Sequence, residues 1–220
     1  MKKIISFSLW GKDPKYTIGA IQNAKLAKEI YPDWICRYYI GKTTPTDIVK
    51  ELGYFGNTEI VIMENDGNWT SMFWRFYPAA DETVDVMISR DCDSRLNMRE
   101  KEAVDEWLNS NKGFHIMRDH PWHSTEILGG MWGVKKGILP NIIDQINTFN
   151  KGEYWQVDQN FLTQKIYPIV KDISMVHDEF FKYDNHRKPF PSVRINKEFV
   201  GDVFDLSLIH ISEPTRPLYI

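Results

Sequence analysis

Short apolar runs alternate with stretches of helical period along most of the chain. Lys3 to Leu9 has the length of a strand and stops at the turn-forming Trp10-Gly11-Lys12-Asp13-Pro14. Asp13 suits a helix cap with Pro14 in the first turn, and Ile18, Ile21, Ala24, Leu26, Ala27 and Ile30 follow at roughly helical spacing. Trp34 to Ile40, Glu59 to Met63 and Val84 to Ser89 read as further strands, with helices over Asp47 to Leu52 and Thr70 to Ala80. Asn97-Met98-Arg99-Glu100 has the form of a capping box, opening a helix with Ala103, Val104, Trp107 and Leu108 on one face. Phe114 to Met117 is another strand, and Gly129 to Val134 a turn into the next. A helix from Pro140, a helix over Trp155 to Tyr167 and a strand near Ile173 to Val176 follow. This alternation predicts an α/β fold, with a mostly parallel central sheet flanked by helices and ligands at the C-terminal strand ends. No repeat or linker interrupts it, so residues 1–205 are expected to form one domain.

The fourth apolar run carries the chemistry. Val84 to Ser89 is the most buried in character, and it delivers Arg90-Asp91-Cys92-Asp93-Ser94-Arg95 where the chain leaves the sheet. Side chains two apart on a strand share a face but stand roughly 6.6 Å apart. Both can serve one small cation, with oxygen distances of ~2.1 Å, only if the chain turns at Asp91. Hard oxygen ligands suit Mg²⁺ or Mn²⁺, which usually keep a substrate phosphate in their shell. Arg90, Arg95 and Arg75 add guanidinium forks that match phosphate oxygens.

Composition narrows the partners. Hydrophobic residues at 42% and charged residues at 26% describe a globular chain, and 220 residues suffice to bury a core. A formal charge of −3 gives no field for following a nucleic-acid backbone, so nucleic acid is not an expected partner. No apolar run reaches the ~20 residues of a membrane span, and the short run after Met1-Lys2-Lys3 is closed by Lys12 and Asp13 before it could act as a signal. Cys36 and Cys92 are far apart and suit reduced thiols, so a cytoplasmic location is expected and the sequon at Asn68-Trp69-Thr70 carries little meaning.

Taken with the strand order, Phe73-Trp74-Arg75-Phe76-Tyr77 and Arg90-Asp91-Cys92-Asp93-Ser94 resemble the GT-A glycosyltransferases, which carry an Asp-x-Asp motif in a Rossmann-like domain. The resemblance implies transfer of a sugar from a nucleoside-diphosphate sugar to a glycan or other hydroxyl acceptor, with Mn²⁺ or Mg²⁺ as cofactor. It implies a metal site at Asp91 and Asp93, with His177 of Val176-His177-Asp178 as a third ligand. Phe7 and Ser8 at the end of the first strand, with Arg75, Arg90, Asp91, Gly129 and Gly130, are the implied donor-binding residues. Asp158, in Trp155-Gln156-Val157-Asp158-Gln159, is the implied catalytic group beside the reacting sugar. Lys188, Pro189, Phe190, Pro191 and Arg194 are the expected counterpart of the loop that closes over the diphosphate in similar enzymes.

Three other chemistries use related patterns, nucleotidyl transfer being the weakest for lack of a Gly-Ser phosphate loop or a third nearby carboxylate. A haloacid-dehalogenase-type phosphatase would use Asp91 as nucleophile and Asp93 as acid, but places that motif on the first core strand, whereas three strands precede it here. A non-catalytic carbohydrate-binding protein would use the eight tryptophans without metal or nucleotide. His115, His120 and His123 with Asp119 form a rival metal-ligand set, which lacks a convincing fourth partner and reads better as an acceptor-side loop. Finally, Leu206 to Arg216 matches, residue for residue, the translation of a transposon adaptor used in sequencing libraries, so residues 206–220 are expected to be an artefactual tail.

Overall fold

The computed structural model describes residues 1–149, 152 and 154–204; the segment read as adaptor-derived lies outside the described residues. Seven strands form one sheet in the order β3-β2-β1-β4-β6-β5-β7. They are β1 (Lys3–Leu9), β2 (Ile35–Ile40), β3 (Thr58–Ile62), β4 (Val86–Ser89), β5 (Phe114–Arg118), β6 (Trp132–Lys135) and β7 (Ser174–Asp178). Every pairing is parallel except those of β6, which runs antiparallel to both β4 and β5. The mostly parallel α/β architecture expected from the apolar pattern is therefore present. Among the described residues, no helix is long and apolar enough to cross a membrane.

Alternate residues of the central strands feed two cores, as the twofold period of a strand requires. Ile5, Phe7, Val86 and Ile88 point to a layer built from α1 (Pro14–Ile30), α2 (Thr46–Gly53) and α3 (Met98–Leu108). Ile4 and Met87 point the other way, to a 3₁₀ helix (Trp69–Ala80), α4 (Ile142–Thr148), and a helical run from α5 (Val157–Phe161) through a π turn to α6 (Tyr167–Val170).

Local chemistry sets the boundaries. Asp13 caps α1, its carboxylate accepting the Lys15 N–H at 2.9 Å. The helix expected over Thr70 to Ala80 winds instead as 3₁₀, started by a reciprocal Asn68–Ser71 box and containing Pro78. The helix expected from Trp155 begins later, because Gln156 adopts φ 74°. Asn97 caps α3 by accepting the Glu100 N–H at 2.9 Å, but the Glu100 side chain does not complete the box. It turns inward to Arg90 Nε and the Tyr31 hydroxyl, both at 3.0 Å, because a buried guanidinium needs a counter-ion more than an exposed cap needs a second bond.

That trio predicts the first outcome. Glu100→Ala leaves Arg90 charged and unpaired in the core, so thermal unfolding should show a loss of about 3–5 kcal/mol, or roughly 6–20 °C in Tm. The double variant Arg90→Met, Glu100→Leu should recover most of that loss; a double variant no better than the single one would contradict this account of the trio.

A second outcome follows from His115. It is fully buried, stacked on Trp107 and bonded through Nε2 to His177 Nδ1 at 2.8 Å. Burial first, then His177 and Arg90, hold its pKa well below the usual value. The unfolded chain therefore takes up the proton first, and the stability His115 contributes is present above about pH 6.5 and lost as the pH falls below it. Urea midpoints between pH 8 and 5 should fall less steeply in His115→Asn than in the wild type, and equal slopes would contradict this assignment.

Candidate functional site

One cleft of about 1110 Å³ opens across the C-terminal ends of the strands. Its wall is assembled from the β1–α1 turn, the 3₁₀ helix, the loop after β4, the loop after β5, the segment entering β6, the start of α5 and residues 199–204. Asp91 and Asp93 both line it, with Cys92 between them turned into the core under α1. Both carboxylates thus border the same cleft at the end of β4.

The loop is held from several sides. Gly19 of α1 touches it so closely that a Cβ there would overlap the Cys92 carbonyl. Asn23 of α1 donates to the Ser94 carbonyl at 2.9 Å and accepts the Leu96 N–H at 3.1 Å. On the far side Phe204 N–H donates to the Asp93 carbonyl at 2.9 Å, and Ser94 bridges to Val203. Gly19 and Asn23 carried no mark in the sequence, because their value lies in a contact some 70 residues away.

Arg75 is the organising cation. Its guanidinium is buried between Asp91, which it contacts through Nη1, and Asp158, whose Oδ2 lies 2.6 Å from Nη2. Burial works against its charge, yet the Asp91 and Asp158 carboxylates outweigh that and raise its pKa. Asp158 is raised, foremost by burial, with Arg75 opposing. Ser8 accepts the Arg75 backbone N–H at 3.0 Å and fixes where the 3₁₀ helix meets β1. Gly129 and Gly130 are backed onto this cluster: a Cβ on Gly129 would overlap Arg75 and Asp158, and one on Gly130 would overlap the Asp91 carboxylate. Their expected role in close backbone approach thus has a specific neighbour, the charged cluster itself.

Asp93 lies 2.9 Å from Lys15 Nζ at the start of α1. Burial raises its pKa, and the Asp91 charge raises it further, with Lys15 pulling the other way. Two partly desolvated carboxylates that repel each other across a cleft make a place where added positive charge is welcome. The donor set is hard oxygen, which fits Mg²⁺ or Mn²⁺. Among the described residues no cluster of three or more His, Cys, Asp or Glu side chains could hold a metal, so such an ion would take at most two side chains and fill its shell from water and substrate.

Three expected residues stand elsewhere. His177 is the penultimate residue of β7 at the edge of the sheet, with β6 and β5 between it and β4, about 14 Å at ~4.8 Å per strand. Both its ring nitrogens are engaged, Nδ1 by His115 at 2.8 Å and Nε2 by Glu106 at 2.9 Å, so the structure does not bring it to Asp91 and Asp93. Arg90 points into the core, to Glu100 and the Ser89 carbonyl, and Phe7 is stacked on Tyr38 with ring centroids 4.8 Å apart. Neither lines the cleft; side chains adjacent to the cleft-facing Ser8 and Asp91 alternate to the other side. Lys188 pairs with Glu106 and Arg194 with Asp119, so that strap braces the fold, and the stretch reaching the cleft is 199–204. The His115, His120, His123 and Asp119 set does not converge either, because His115 lies within the sheet and Asp119 is taken by Arg99 and Arg194.

No protein-family model matches the sequence, and comparison with curated proteins returns no match. Solved structures do match in shape. A glycosyltransferase involved in glycosylation of the major capsid of PBCV-1 aligns with a TM-score of 0.53 at 16% identity, over 81% of this chain and 82% of its own. The 4-diphosphocytidyl-2C-methyl-D-erythritolsynthase of Anaerococcus prevotii aligns with a TM-score of 0.50 at 10% identity, over 86% and 93%. Mannosyltransferase PcManGT of Pyrobaculum calidifontis, solved with GDP-Man and Mn²⁺, reaches a TM-score of 0.47 at 10% identity over 64% of this chain and 46% of its own, too distant to carry an argument. At these identities the likeness is one of fold: the chain has the Rossmann-like α/β fold found in GT-A glycosyltransferases and in nucleotidyltransferases.

Proposed function

We propose that this chain is a metal-dependent glycosyltransferase, moving a sugar from a nucleoside-diphosphate sugar to a hydroxyl acceptor. The observation that carries the reading is the convergence of Asp91, Asp93, Arg75 and Asp158 on one large cleft at the C-terminal strand ends. The likeness in fold to a capsid glycosyltransferase supports it. A diphosphocytidyl group is named for the second neighbour, and the nucleotidyl-transfer alternative lacks a Gly-Ser phosphate loop in this sequence.

Asp91 and Asp93 are the residues to hold Mg²⁺ or Mn²⁺, which when bound supplies positive charge to the departing diphosphate. Lys15 and Arg75 bring cationic groups to the same place, and preorganised charge aimed at a leaving group is worth more in a cleft than in water. Breaking the anomeric bond leaves positive character on the sugar, which the Asp158 carboxylate opposes. Because Arg75 holds Asp158 and Asp91 together, the two acids are kept in a fixed relation, and the guanidinium opposes the upward push that burial gives the Asp158 carboxyl. Gly129 and Gly130 let the donor-facing backbone stand against this cluster without a side chain between.

Thermal unfolding with a panel of nucleoside diphosphates, with and without Mn²⁺, tests the reading. One nucleotide at about 100 times its Kd should raise Tm by roughly 5–10 °C, only with metal, and the rise should vanish in Asp93→Ala. A rise that is indifferent to metal or retained in Asp93→Ala would sink the proposal. Gly130→Ala should keep its circular dichroism yet bind the nucleotide–Mn²⁺ pair at least about tenfold more weakly, because the new methyl pushes the Asp91 carboxylate aside. Wild-type affinity in that variant would show that the carboxylate's placement does not matter.

A further inference from the structure

At about 1110 Å³ the cleft stands just above the roughly 300–1000 Å³ of single-ligand sites. Asp91 and Asp93 follow the central β4, the β1–α1 turn stands on one side of them and the loop after β5 on the other, while the start of α5 joins the same cleft through Asp158, paired with Arg75. Two of the largest exposed apolar side chains of the described residues, Trp122 in the loop after β5 at 50% and Trp155 just before α5 at 61% exposure, line the cleft. Both indoles offer flat apolar surface to whatever occupies the cleft.

The groups around them specify what covers them. Gln156 and Gln159 add neutral amides to the same lining. His123 accepts the Asp119 backbone N–H on Nδ1 at 3.0 Å, which places its own proton on Nε2, and burial lowers its pKa to about 4, so it is a neutral donor at physiological pH. His120 and Phe199 stack with centroids 4.2 Å apart and stiffen the loop carrying Trp122. Flat aromatic faces interspersed with neutral donors and acceptors match the two sides of a pyranose, its C–H face and its hydroxyl rim. A lipid tail would call for unbroken apolar lining, and a charged peptide for paired ionic groups.

We propose that the acceptor is a carbohydrate chain of two or more sugars, laid across Trp122 and Trp155 with its terminal hydroxyl toward Asp91 and Asp158. This deepens the glycosyltransferase reading and rests on it for the direction in which the chain lies. The two rings come from separate segments, the loop after β5 and the start of α5, so one sugar alone engages only part of the platform.

Calorimetric titration tests this with linear gluco-, manno-, xylo-, galacto- and N-acetylglucosamine oligosaccharides of one to four units, in protein free of nucleotide and metal. A chain of two or more units should bind at least about tenfold more tightly than its monosaccharide. Trp122→Ala and Trp155→Ala should each weaken it about tenfold, while Trp122→Phe, which keeps a flat ring, should lose less. Binding by none of these sugars, equal binding of monosaccharide and chain, or indifference to both alanine substitutions would each overturn the proposal. The titration uses no nucleotide, and the nucleotide test above uses no saccharide, so failure of one reading is distinguishable from failure of the other.

Discussion

The site depends on a single buried guanidinium. Arg75 lies in a 3₁₀ helix, yet it ties together the loop after β4, through Asp91, and the start of α5, through Asp158. Without that cation the buried Asp158 would lose its counter-charge beside Asp91. Ser8 fixes the Arg75 backbone from β1, and Gly129 and Gly130 clear the space behind it. Four parts of the chain, far apart in sequence, are thus held in one register by one charge.

Much of this was legible from local pattern. The β1–α1 turn, the Asp13 cap, the buried fourth strand and the carboxylate pair at its end are written in adjacent residues, and adjacent residues are what a sequence displays. Asp158 could be singled out, though its link to Arg75 could not, since the two are 83 residues apart. His177 reads as a third ligand in sequence, and the structure instead holds it between His115 and Glu106. A histidine at a strand end looks available until the order of strands puts two others between it and the site. Arg90 likewise reads as a phosphate fork in sequence, and only Glu100 and Tyr31, brought together by α3 and the residue after α1, show that it belongs to the core.

The fold alone leaves the chemistry open, since a glycosyltransferase and a diphosphocytidyl-methylerythritol synthase are both among its neighbours. What narrows it is local: two acidic side chains facing one cleft, a cation held between acids, and exposed indoles farther along the same wall. The aromatic residues carried the least meaning in sequence, because eight tryptophans can all be core. Their division into buried members, such as Trp107 and Trp132, and exposed members at the cleft is visible only once the chain is folded.

The contact between Gly19 and the Cys92 carbonyl has a consequence for how such a chain can vary over time. Helix α1 and the acidic loop form a lock with no clearance, so a larger residue at position 19 would have to be accompanied by a compensating shift in the path of residues 91–94. The two segments are therefore free to drift only in step, and a glycine in the middle of a helix, otherwise a weakness, persists as the hinge-pin of a distant charge pair.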